Sequence, residues 1–121
     1  MKNKHLHLAR RKMSHVIDEI YTALLRTGGG EVQLRIIREE GGLRLLAAGD
    51  FTLENQHHIQ RMAELLQPAV RTPALVEEFW ELAGGDQYTS ESELALVGQI
   101  IDQAAVTVEE TRVEMDLFIS Y

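Results

Sequence analysis

Histidines and carboxylates carry most of the chemistry this chain can offer, because it contains no cysteine. Without thiols there is no disulfide framework, thiolate zinc site, iron–sulfur cluster or cysteine nucleophile. Two histidine pairs stand out, His5-x-His7 and His57-His58, the second with Glu54 four residues before His58. On one helical face Glu54 and His58 could share a metal ion. Two donors hold a metal weakly, and the spacing supplies no third, so the pairs read as solvent-exposed helix residues and no metal is expected. The doublets Glu39-Glu40, Glu77-Glu78 and Glu109-Glu110 read as turns and solvated faces rather than paired catalytic acids. No Gly-x-Ser-x-Gly, His-Glu-x-x-His or P-loop pattern occurs, so no catalytic residues are assigned.

The elements that must position these side chains follow from hydrophobic period. Met13, Val16, Ile17, Ile20, Tyr21, Leu24 and Leu25 recur at three- and four-residue spacing, which predicts an amphipathic helix from about Leu8 to Arg26. Gly28-Gly29-Gly30 ends it with positive-φ freedom. Val32, Leu34 and Ile36 then alternate, Glu39-Glu40-Gly41-Gly42 turns the chain, and Leu43, Leu45 and Ala47 alternate again. That is a β-hairpin.

After Asp50 the period is helical again. Thr52 reads as an N-cap for a stripe of Ile59, Met62, Leu65 and Leu66 that runs to Pro68. Thr72-Pro73 opens a further helix through Leu75, Val76, Phe79, Trp80 and Leu82, which Gly84-Gly85 ends. Ser90-Glu91-Ser92-Glu93 reads as a capping box for a helix through Leu94, Val97, Ile100 and Ile101. Val106 and Val108, a turn at Glu109-Glu110, and Val113, Met115, Leu117 and Ile119 form a second hairpin. The order predicts an α+β two-layer sandwich: four mostly antiparallel strands with helices on one face. Residues 1–121 form one domain, without repeat or linker. Each strand has one apolar and one polar face, as suits a sheet covered on one side.

Charge narrows the partners. The net charge of −7 conceals a gradient: Lys2, Lys4, Arg10, Arg11 and Lys12 stand in the first twelve residues, and between Glu77 and Asp116 eleven acids face one base, Arg112. An acidic surface repels phosphate, so no nucleic acid is expected. The basic segment reads as a solubilising start of the first helix. Attraction between the two ends invites head-to-tail self-association that salt would weaken. No apolar run approaches the roughly 20 residues of a membrane span, nor is there a signal-peptide core, so a cytoplasmic protein away from membranes is expected.

Two stretches carry a resemblance. Ile17-Asp18-Glu19-Ile20-Tyr21-Thr22-Ala23-Leu24-Leu25-Arg26-Thr27-Gly28-Gly29-Gly30 resembles the N-box helix of the ATP-binding fold shared by histidine kinases, gyrase-type ATPases and anti-sigma-factor serine kinases. Leu94-Ala95-Leu96-Val97-Gly98-Gln99-Ile100-Ile101-Asp102-Gln103-Ala104-Ala105-Val106 is similar to the passage after that family's second glycine box. The likeness implies a histidine kinase-like ATPase fold and a bacterial regulatory setting.

The departures are chemical. Glu19 stands at the family's N-box glutamate, but its Mg²⁺-holding asparagine aligns with Ala23, whose methyl cannot coordinate a hard cation. The adenine box is reduced to Asp50, displaced and without following glycines. The Gly-x-Gly phosphate box aligns with Glu91-Ser92-Glu93, whose carboxylates would repel a triphosphate. Met13-Ser14-His15 resembles the phospho-accepting box of sensor kinases, but this helix already serves as the N-box helix, and His15 reads as an outer-face residue.

The expected function is therefore a non-catalytic protein-interaction or regulatory module on a degenerate kinase-type ATPase fold, without cofactor. Its partner would be another protein or a second copy of the chain. Partner contacts are expected at Val76, Phe79 and Trp80, with an exposed Trp80 as the anchor, and at His15 and Tyr21. The competing expectation is an active nucleotide-binding protein with altered motifs, using Glu19 as base and Asp50 for the adenine amino group.

Overall fold

The computed structural model describes residues 2–67 and 90–121, with side chains from His5 to Gln67 and from Glu93 onward. The predicted helix at Thr72–Gly85, with Val76, Phe79 and Trp80, lies outside the described residues. Helix α1 spans Lys2–Arg26 and leads into strands β1, Gly28–Glu39, and β2, Gly42–Phe51. A 3-10 turn at Leu53–Asn55 precedes α2, Gln56–Leu66; then come α3, Ser90–Ile100, and strands β3, Gln103–Glu109, and β4, Arg112–Ser120. The four strands form an open antiparallel sheet in the order β1-β2-β4-β3. The architecture is the expected α+β arrangement, with the helices packed on one face. Among the described residues no helix is long and apolar enough to cross a membrane.

The core follows from two periods. On β2 Leu43, Leu45, Ala47 and Phe51 are buried, and on β4 Val113, Met115, Leu117 and Ile119. Pairing sets Leu45 opposite Leu117 and Ala47 opposite Met115, so the two central strands present one continuous apolar face. Helix α1 covers it with Ala9, Met13, Val16, Ile20 and Leu24, a stripe at helical spacing, and Ile59, Met62, Leu66, Leu94, Val97 and Ile101 complete the cluster. Each fully buried aliphatic side chain contributes about 1.5–3 kcal/mol. The opposite face of the sheet is held by charge: Arg44 donates to Glu39 at 2.8 Å and to Asp116, and its guanidinium lies 5.0 Å from the Phe118 ring centre.

Three local expectations need correction. Helix α1 begins at Lys2 rather than near Leu8, so the basic segment is helical. Thr52 does not cap α2; it precedes the 3-10 turn without a side-chain cap bond. The reason is the buried Thr27, whose carbonyl accepts from the Thr52 amide at 3.1 Å and from Asn55 Nδ2 at 3.1 Å. That junction ties the end of α1 to the segment after β2. The second turn falls at Glu110-Thr111, where Glu110 takes φ of 54°, and Glu109 completes β3.

The glycine triplet separates into distinct roles. Gly28 has φ of +83°, as a helix end requires, and a Cβ on Gly29 would lie 1.8 Å from the Asp50 carbonyl oxygen. Gly30 has nothing within 4 Å of a Cβ. Gly29→Ala should therefore destabilise the fold by about 2–3 kcal/mol, as overpacking against backbone does. Gly30→Ala should stay within about 0.5 kcal/mol of the parent. Urea unfolding of the two variants checks this.

Candidate functional site

Two places in the fold have chemistry or surface to offer, and they lie on opposite flanks of α1. The first is a cluster between α1 and α3. His15 and Glu19 are four residues apart, so one turn of helix stacks them on the same side. Glu93, in the first turn of α3, meets them and is only 4% exposed. The His15 Nε2 atom lies 3.5 Å from Glu93 Oε2. One donor atom from each of the three residues lies within 4.8 Å of the other two, and among the described residues only this group of three or more histidine or acidic side chains converges so.

The electrostatics of the cluster are unbalanced. Two carboxyls meet, and among the described residues neither forms an ion pair with a lysine or arginine. Glu19 is pushed up to about 7, first by burial, then by its hydrogen bond to Glu93 and the charges of Glu93 and Asp18, against a weaker lowering by Arg26. A proton on Glu19 lets the two carboxyls share one negative charge. His15 Nε2 is buried yet makes no hydrogen bond among the described residues. A ring nitrogen so placed beside a carboxyl pair can coordinate a cation.

The structure corrects one expectation here. His15 is not on an outer face; it is half-buried, because α3 packs beside α1 and covers that flank. Glu93, expected in a capping box whose serine side chain lies outside the described residues, has one carboxylate oxygen toward α1. Sequence spacing held the His15/Glu19 pair, but Glu93 arrives through tertiary packing alone.

The second place is the outer edge of β1. Tyr21 lies about 200° around α1 from Glu19, so it faces away from α3. Tyr21 and Leu25 are exposed there, as are Leu34 and Ile36 on β1. Leu34 pairs with Ala47 and Ile36 with Leu45, both core residues, so these side chains sit on the helix-covered face at its uncovered margin. The far edge of the sheet is treated differently: the Val106 amide of β3 donates to Gln67 Oε1 at 3.2 Å.

The remaining expected residues are dispersed. Asp50 alternates with the buried Gly49 and Phe51, so its side chain is on the open face, 3.9 Å from Arg112 Nη1. Glu19 belongs to the helical layer on the other side of the sheet, so the two residues assigned to a nucleotide are not brought together. His5, His7, His57 and His58 are exposed, as the sequence indicated. The rings of His57 and His58 lie 3.9 Å apart, and Glu54 belongs to the 3-10 turn rather than to α2. A cleft of about 500 Å³ between the end of α1, α2 and Leu94 is lined by Ala23, Arg26, His57, His58 and Arg61.

Glu19 makes stability depend on pH. Its carboxyl titrates near 4.5 when unfolded and near 7 when folded. Below 4.5 both states hold the proton; between these values only the native state does, so its contribution is lost as pH rises through 7. Glu19→Gln, which keeps a neutral hydrogen-bonding group, should be more stable than the parent at pH 8 by about 1 kcal/mol after solvent screening. The difference should vanish near pH 4. Urea midpoints in EDTA across pH 4–8 measure it.

Known protein families, curated proteins and solved structures contain no match to this chain.

Proposed function

We propose that this chain is a non-catalytic protein-interaction or regulatory module that docks through the outer edge of β1. The observation that carries the reading is Ile36, 54% exposed on the helix-covered face of the sheet, beside a strand edge unpaired among the described residues. Such an edge offers a row of main-chain donors and acceptors to an added strand. Tyr21 and Leu25 extend its apolar margin. The scaffold we infer is a degenerate histidine kinase-like ATPase fold, supported by the element order and by the two resembling segments.

A second copy of the chain fits this edge. Antiparallel pairing about a two-fold axis at Gln33 puts Glu31 opposite Arg35 of the second copy, twice, and Val32 opposite Leu34. An even register keeps apolar side chains on the covered face of both sheets. Light scattering across a concentration series should therefore find a dimer. Arg35→Glu, which sets like charges opposite each other twice, should weaken it about tenfold, and Glu31→Arg combined with Arg35→Glu should restore it. Monomer at every concentration would rule out self-pairing.

A second reading, nucleotide binding, is favoured by the two arginines and two histidines that line the cleft beside Ala23. Thermal unfolding with millimolar Mg-ATP or Mg-ADP separates the two. Saturating ligand would raise the midpoint by several degrees, whereas the interaction module should not respond.

A further inference from the structure

We propose that His15, Glu19 and Glu93 form a binding site for a divalent transition-metal ion that joins α1 to α3. One imidazole nitrogen and two carboxylates make a donor set that suits Zn²⁺, Mn²⁺ or Co²⁺, since a harder ion such as Mg²⁺ prefers oxygen alone. The donors are supplied by two helices fixed on the same core: Val16 and Ile20 anchor α1 next to His15 and Glu19, and Leu94 and Val97 anchor α3 next to Glu93. The site is therefore built into the packing, not assembled from a surface loop.

Three features single it out from the other histidines. Glu93 is almost fully buried, and a carboxylate kept from water needs a compensating charge. The His15 Nε2 atom is buried without a hydrogen-bond partner among the described residues, and Glu93 Oε2 is its neighbour at 3.5 Å. A tetrahedral ion with bonds of about 2.1 Å holds its donors about 3.4 Å apart. The His15–Glu93 separation already matches, and donors within 4.8 Å of one another close the rest by side-chain rotation. His15, which is partly exposed, has room for that movement and leaves a side open to water.

Charge gives the cation a physical reason to bind. Glu19 and Glu93 bring two carboxyls together beside His15, their donor atoms all within 4.8 Å of one another. A divalent ion neutralises both carboxylates and competes with protons for its donors, so binding tightens as pH rises. Phosphate, by contrast, is repelled.

The test uses the full chain, stripped with EDTA, titrated with Zn²⁺ and with Co²⁺, and followed by thermal unfolding and visible absorption. At about 100 µM Zn²⁺ and pH 7.5 the midpoint should rise by several degrees, with a smaller rise at pH 5.5 and no effect of Mg²⁺. Co²⁺ should develop absorption in the visible region. His15→Ala and Glu19→Gln should each weaken Zn²⁺ binding at least tenfold. Glu19→Gln is expected to stabilise the apo fold, so its loss of response cannot be blamed on unfolding. His57→Ala combined with His58→Ala should respond like the parent. No shift with Zn²⁺ or Co²⁺ would overturn the proposal, as would an undiminished shift in His15→Ala, which would place the ion on the exposed histidines.

Discussion

The rows Leu43, Leu45, Ala47 and Val113, Met115, Leu117, Ile119 must be kept from water, and the rest of the structure answers to that requirement. Two adjacent antiparallel strands with aligned apolar faces make a surface that a single long helix can cover. Helix α1, at 25 residues, is about 37 Å long and spans it with one stripe. A helix that packs along one line leaves two flanks. One is met by α3, which brings its own apolar residues and Glu93; the other overlooks β1, where Leu34 and Ile36 stay exposed. The carboxyl cluster and the apolar margin are thus both consequences of how a cylinder covers a plane.

Most of the fold was legible because the core is strictly periodic. Alternation at Leu43-Leu45-Ala47 and at Val113 through Ile119 fixes which face of β2 and β4 is buried, and the Gly41-Gly42 pair marks the first turn. Boundaries were less legible where local chemistry opposes the final state. Lys2–Arg26 starts without an acid in its first turn and with bases near the positive end of the helix dipole, the reverse of a helix start signal. Only continuation from the core stripe at Ala9 and Met13 carries the helix that far. Thr52 misled for a different reason: a cap residue and a 3-10 junction use the same hydroxyl chemistry, and the choice was made by Thr27, 25 residues away.

The cluster between α1 and α3 was not read from the sequence. His15 and Glu19 stand four residues apart, but such pairs are common on solvated helix faces, and α1 offers one flank to solvent and the other to α3. Which flank carried His15 depended on the direction from which α3 approaches. Glu93 was also ambiguous, because a glutamate three residues after a serine fits a capping box as well as it fits a buried contact. Leu94, Leu96 and Val97, which follow it on α3, are buried as well.

On the ATPase scaffold proposed above, the residues at the phosphate-binding position also set the sign of the ligand that can bind there. In the segments that resemble the ATPase fold, the glycine box is matched by Glu91-Ser92-Glu93, and Ala23 stands for the cation-holding asparagine. Backbone amides at such a place attract an anion; a buried carboxylate repels one by several kcal/mol at contact, even at an effective dielectric near 20. With Glu19 beside it, that repulsion becomes an attraction for any cation of suitable size, and His15 adds the softer donor that favours a transition metal over Mg²⁺. A chain that exchanged glycines for carboxylates at this point would therefore lose a nucleotide and gain a cation through one change in local charge.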